Sequence, residues 1–428
     1  MSSYTKYVVL LFVILVSSQC IAVNKDEQVA PTSPGHRSPP GAEPYFGYHT
    51  HLSRTVAWDN EFAQRRELLA AVRSGGGGFI RTGFPWKAIE PKKGKMDWEV
   101  FDDLVTVTRQ NDIQILGVLH ALPEWVADPQ HHQDDWRHFV GQVITRYGEN
   151  VDHWEIWNEP NLERYWPRKA GIEIYTDYVK IAAEVIKEHD PDDTVLLGGL
   201  ACGGEKKQDS LFQYWEKLFK RDVLEFCDGI AFHPYRYPGI KLISLYNRLT
   251  KTAQKYTDRT LEYWITEFGV NTREKNGSAT SPKLLNLQVR DILQTAICFK
   301  AIGGKRFIIF ELIDPGRNHA NQFLGVLDHE RGERPAHTAV AWLAGIFGHY
   351  LVTDSEVIDT KTFAVQLRDD SGNTAYLTWG RQGYEWVQKH MPNNTQLIPT
   401  SFDKEYSALT SDGNYRPAFD EDTIIFWQ

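Results

Sequence analysis

The sequence predicts an α/β protein: a (β/α)8 TIM barrel followed by a C-terminal β-sandwich. From Tyr45 to His349, short runs rich in β-branched and aromatic residues alternate with helix-compatible amphipathic segments, the mark of a parallel sheet. There are eight strand–helix repeats, the number that makes a barrel whose working face is built from the loops after each strand. Beyond His349 the pattern changes to strands and turns. The 428 residues, 42% of them hydrophobic, suit one large domain plus an accessory one.

Residues 1–22 read as a signal peptide: Lys6, the apolar run Val8 to Val16, then the small residues Cys20 and Ala22 before a cut after Ala22. This predicts export, to the periplasm or out of the cell, and the run is short for a membrane span. A lipid anchor on Cys20 is the alternative, although Gln19 stands where a small residue is usual. Residues 23–43, with Pro31, Pro34, Pro39 and Pro40, are a linker.

The catalytic barrel is expected over 44–348. Its strands are expected near 45–52, 77–84, 113–120, 151–159, 194–201, 228–235, 262–268 and 306–313. The helices between them are expected near 60–73, 99–110, 134–147, 172–188, 210–221, 241–256, 283–301 and 335–346. Gly75 to Gly78 precede a strand and lack the Lys-Ser/Thr of a phosphate loop, so they read as a helix stop. The β-sandwich is expected over 349–428, with strands near 362–368, 374–379, 385–388 and 423–427. Its Trp379, Trp386 and Trp427 are read as core in preference to a carbohydrate-binding surface. With the leader removed, Cys202, Cys227 and Cys298 remain, and no essential disulfide is expected.

A net charge of −9 without a basic cluster argues against nucleic acid and anionic membranes as partners. An aromatic share of 13%, with 14 Trp, exceeds the needs of the core and fits grooves where sugar faces stack.

The run His153-Trp154-Glu155-Ile156-Trp157-Asn158-Glu159-Pro160-Asn161 reads as a buried strand that Pro160 ends, placing Asn158 and Glu159 where strand meets loop. Barrel enzymes keep their chemistry there. The run Glu262-Tyr263-Trp264-Ile265-Thr266-Glu267-Phe268-Gly269 ends the same way, so Glu159 and Glu267 form a candidate carboxylate pair. Such a pair can protonate a leaving glycosidic oxygen and attack, or activate water on, the anomeric carbon.

Trp157-Asn158-Glu159-Pro160 followed by Ile265-Thr266-Glu267-Phe268-Gly269 resembles the retaining glycoside hydrolases of clan A, most nearly family 39 and its neighbours. The likeness extends from Tyr45 to Phe347 and includes Phe323 to Asp328 and Arg334-Pro335-Ala336-His337. It implies a retaining β-glycoside hydrolase needing no metal and no cofactor, with Glu159 as acid/base and Glu267 as nucleophile. On the same resemblance Asn158 would bond the sugar hydroxyl next to the anomeric carbon. Arg81 would place a positive charge beside the nucleophile, and His233 and Tyr235 would contact it. His120 would reach a hydroxyl and Trp125 would stack on sugar, with Trp86, Tyr165 and Trp166 as further platforms. Strand eight ends Phe310-Glu311 where many clan members carry a Trp, which makes Glu311 a candidate specificity residue. The implied partner is a polysaccharide or oligosaccharide, attacked by a monomer. Endo-action on a polysaccharide outside the cytoplasm is favoured, with an exo-acting, β-xylosidase-like enzyme as the alternative.

Two other classes compete. The His49/His51 pair, with His233 and Asp314, suggests a metal-dependent amidohydrolase barrel, which leaves Glu159 and Glu267 without roles. A glycan-binding protein without turnover would not need both carboxylates. Asn276-Gly277-Ser278 and Asn393-Asn394-Thr395 are glycosylation sequons.

Overall fold

A computed structural model of the chain describes residues 44–52, 61–274, 280–315, 323–390, 399–401 and 424–427. The expected leader and linker, Cys20 and both sequons lie outside them. Eight parallel strands close in sequence order: β1 (Phe46–His49), β2 (Phe79–Pro85), β3 (Gln114–His120), β4 (His153–Asn158), β5 (Thr194–Ala201), β6 (Gly229–His233), β7 (Glu262–Phe268) and β8 (Arg306–Ile309). β8 pairs with β1 to complete the ring. Each expected barrel strand and helix is present, with ends moved by a few residues. A short helix, Trp86–Ile89, is an addition.

Strands and helices form here for different reasons. The strands are covered on both faces, so they run almost wholly buried, as in β4 and β6. The helices bury one stripe. In Lys241–Ala253 it is Leu242, Leu245, Tyr246, Leu249 and Ala253, the spacing of one helical face. Pro282 and Pro335 open their helices, where a missing N–H costs nothing.

The barrel interior changes character along its axis. Phe79, Leu116, Leu196, Ala231, Trp264 and Ile308 form a closed apolar layer. Two residues further along β2, β6 and β7, on the same inward face, stand Arg81, His233 and Thr266, and Glu155 of β4 joins them. The apolar layer is a floor, and the polar layer above it opens at the C-terminal strand ends.

The C-terminal part is an antiparallel sheet of β9 (Tyr350–Val357), β10 (Phe363–Asp369), β11 (Thr374–Trp379), β12 (Pro399–Ser401) and β13 (Ile424–Trp427), in the order β12-β13-β11-β10-β9. Period-2 alternation gives it two dry faces. Phe363, Val365, Leu377 and Trp379 join the core shared with the barrel, whereas Ala364, Tyr376 and Ile425 pack with Trp386 and Val387. Trp379 and Trp386 are thus core residues, as expected; the Trp427 side chain lies outside the description. The strand expected near 385–388 is instead a helix, Arg381–His390. Trp386 and Val387 suit either state over four residues. The helix wins because it turns both onto the sheet and stacks Trp386 on His390 one turn later, ring centres 3.9 Å apart. Cys202, Cys227 and Cys298 are free thiols, and burial pushes that of Cys227 up to about 12. No helix among the described residues is long and apolar enough to cross a membrane.

Candidate active site

A cleft of about 970 Å³ opens at the C-terminal strand ends, with Arg81, Asn158, Glu159, Tyr235 and Glu267 in its wall. Arg81 organises it. Its Nε and Nη2 grip both oxygens of Glu155, at 2.7 and 3.0 Å. Nη1 donates to Glu267 Oε1 at 2.6 Å, and Nη2 also donates to Asn158 Oδ1 at 2.8 Å. Tyr235 donates to the other Glu267 oxygen at 2.7 Å. His233 Nδ1 lies 3.1 Å from Glu159 Oε1 and 3.7 Å from Glu267 Oε2, and its Nε2 lies 3.0 Å from Thr266 Oγ1. Arg164 donates to Glu159 Oε2 at 2.9 Å. One oxygen of Glu159, one nitrogen of His233 and one oxygen of Glu267 all fall within 4.8 Å of one another.

Backbone irregularities at two strand ends bring these groups together. Strict alternation turns neighbouring residues to opposite faces, so Glu155 and Asn158 could not both point inward from a regular β4. Trp157, at φ 78°, and Glu159, at φ 44°, break the alternation, and Asn158 and Glu159 both reach the cleft. Trp157 is held there by its indole N–H to the Tyr165 carbonyl, 3.0 Å. Asn161 locks the turn by exchanging two hydrogen bonds with Ala201 at the end of β5. In β7 the register with β8 slips between Ile265 and Phe268, and the adjacent Thr266 and Glu267 both enter the site. Gly199 is required by its surroundings: a Cβ there would stand 2.2 Å from His233 Nε2 and 3.0 Å from Glu155 Oε1.

The charges balance. Burial works against Arg81, yet Glu155 and Glu267 beside it raise its pKa further, so it stays cationic. Burial also opposes ionisation of Glu155, but Arg81 holds its carboxyl below the usual range. Glu159 is likewise held low against burial, by the His233 hydrogen bond and by Arg164. His233, which burial alone would discharge, is shifted upward by Glu267 and Glu159. Burial, then Glu267, pushes the Tyr235 phenol well up, which keeps it a donor. With His233 protonated, three cations face three carboxylates.

The structure gathers Arg81, Asn158, Glu159, His233, Tyr235 and Glu267 into one network, and His120 lines the same cleft. Three expected sugar contacts lie elsewhere. Trp86 is fully buried against Phe139 and Trp136, its N–H on Glu90, because the short helix it starts turns the ring inward. Trp125 packs its edge on Trp86 and donates to the Glu90 carbonyl, away from the cleft wall. Glu311 is buried on His51, 3.0 Å away, and its neighbour Phe310 faces the cleft instead. Of the further platforms, Tyr165 lines the cleft and Trp166 is core. The amidohydrolase set is not brought together, since Asp314 is taken by Arg334 and the Gly325 N–H and does not line the cleft.

Sequence reasoning missed Glu155 and Arg164. Glu155 carried a signal: a carboxylate in the middle of a buried strand demands a buried partner. Arg164 carried none, lying in a loop whose path only the fold determines.

The family model of glycosyl hydrolase family 10 matches residues 83–305. The chain belongs to glycosyl hydrolase family 10. The matched span holds Glu159 and Glu267 and stops short of Arg81. This family 10 chain is 28% identical to a β-xylosidase of Geobacillus stearothermophilus over 154 residues, 34% of the chain and 26% of that protein. It is 23% identical to endo-1,4-β-xylanase C of Paenibacillus barcinonensis over 186 residues, 36% of the chain and 17% of that protein. The matches therefore span well under half of either relative. Among solved structures, a family 39 glycoside hydrolase from Bacteroides cellulosilyticus superposes with a TM-score of 0.65 at 17% identity, covering 90% of this chain and 81% of that one. The resemblance to clan A is thus shown, with the family model being that of family 10 and family 39 entering through the fold.

Proposed function

We propose that the protein is an exported retaining β-glycoside hydrolase that cleaves O-glycosidic bonds within a polysaccharide by double displacement. One observation carries this reading: two carboxylates at the ends of β4 and β7 whose nearest oxygens lie within 4.8 Å, at the foot of an open cleft. Carboxyl groups about 5–5.5 Å apart suit direct attack, whereas inverting enzymes keep a wider gap for water. Glu267, oriented through both oxygens by Arg81 and Tyr235, attacks the anomeric carbon. Glu159 gives its proton to the leaving oxygen, and the glycosyl-enzyme is then opened by water that Glu159 deprotonates. Asn158 presents its amide NH2 to the adjacent sugar hydroxyl, since Arg81 occupies its Oδ1. The relatives named for xylosidase and xylanase activity support β-linked sugars as substrates. The apolar run Val8 to Val16 supports export.

The test is product sizing after incubation with β-linked polysaccharides and aryl glycosides, beside Glu267→Ala. Oligosaccharides that vanish in a folded variant are expected. Undiminished turnover in Glu267→Ala sinks the assignment, and release of monosaccharides alone makes the enzyme exo-acting.

A further inference from the structure

The network leaves one side chain unused. Glu159 Oε1 is held by His233 inside the barrel, so Oε2 is the oxygen that must face the leaving group. Arg164 sits on that oxygen, at 2.9 Å. A glycosidic oxygen and Arg164 therefore compete for one atom, and Arg164 must withdraw before the proton can be given. It is built to move: its side chain is 66% exposed, lies on a loop, and its guanidinium stacks 4.6 Å from the Tyr165 ring. Once withdrawn, it is a cation at the cleft wall, placed to pair with an anion on the substrate. Among the described residues the cleft offers it no other acid. Glu267 is taken by Arg81 and Tyr235, and Glu163 by Arg168 at 3.0 Å. Lys87, an exposed ammonium in the same wall with no acidic partner among the described residues, adds to the positive field.

Resting on the glycosidase reading, we propose that Arg164 moves from Glu159 to a carboxylate on the leaving-group sugar, so that the cleft selects polysaccharides containing hexuronate residues. Binding the uronate and freeing the acid are then one event. With Arg164 gone, the groups facing Glu159 are His233 and Tyr235 from β6 and its loop, Glu267 from β7, Cys202 after β5, and Tyr165. Loss of the guanidinium leaves burial less opposed and moves the Glu159 pKa upward, toward the protonated form it must have to donate, with the His233 hydrogen bond still acting on it. The proton goes to the glycosidic oxygen as the C–O bond breaks and the Glu267–C1 bond forms.

The experiment compares kcat/KM from pH 4 to 9 on β-linked disaccharides ending in glucuronate or in its methyl ester, for the wild type, Arg164→Gln and Arg164→Lys. The wild type is expected to prefer the uronate about tenfold or more, the order of one charge-assisted hydrogen bond. Arg164→Gln should lose the preference and Arg164→Lys keep part of it. On the ester, the basic limb of the Arg164→Gln profile should move to higher pH, a shift that merely loosened packing would not give. Equal rates on acid and ester, or a preference that survives in Arg164→Gln, overturn the proposal while leaving the glycosidase reading intact. If the wild type cleaves neither, NMR titration with D-glucuronate and D-glucose decides: glucuronate binding that requires Arg164 upholds the proposal, and no preference overturns it.

Discussion

Five N–H groups project from the Arg81 guanidinium, and five contacts receive them: two from Glu155 and one each from Glu267, Asn158 and His49 Nδ1. Because arginine only donates, His49 Nδ1, 3.0 Å away, accepts, and the proton of that imidazole is on Nε2. The residue is a positioning group: it aims Glu267, turns Asn158 and never needs to leave its place. Glu155 makes this tolerable, since without it two of the five buried N–H groups would lose their acceptor. Glu155→Gln keeps the volume and removes the charge. Breaking a buried pair from one side typically costs about 3–5 kcal/mol, so a urea unfolding series should show a loss of about that size. A loss under about 1 kcal/mol would mean that Arg81 is held by Glu267 alone and that Glu155 is incidental.

At the scale of elements, the barrel was legible because buried parallel strands and one-sided helices leave different periodicities in a chain. Glu159 and Glu267 were legible because both stand where a strand pattern stops. The side chains read wrongly lie just past such points. Phe310 and Glu311 are neighbours at the end of β8, and a one-residue difference decides which of them sees the cleft. Trp86 and Trp125 depend on the unforeseen helix Trp86–Ile89, and a platform and a core tryptophan look alike in sequence. The helix Arg381–His390 was missed because four residues are too few to separate a period of 2 from one of 3.6. The described tryptophan rings of that C-terminal sheet are turned inward. Trp379→Ala should lower stability by about 3–5 kcal/mol in thermal or urea unfolding, the usual loss for a buried aromatic. Retention on polysaccharide gels should be unaffected; a folded variant that no longer binds would make the sheet a glycan-binding module instead.

Across the whole molecule, the site ties stability to pH with opposite signs on its two sides. Glu155 and Glu159 have folded-state pKa values below the usual 4.5, so their contribution is complete above about pH 4.5 and is lost as pH falls through the folded values. His233 is shifted above 6.5, so its contribution is complete below about pH 6.5 and is lost as pH rises through its folded value. Both are present together only between those limits, and Tm measured from pH 3 to 9 should peak there and decline on each side. His233→Asn removes the imidazolium and with it the alkaline decline, while the acid decline persists. A Tm that climbs steadily to pH 9 in the wild type would show that His233 is neutral in the folded protein. The three-to-three balance would then become two cations against three carboxylates. Glu159 would then keep only Arg164 as its cationic partner.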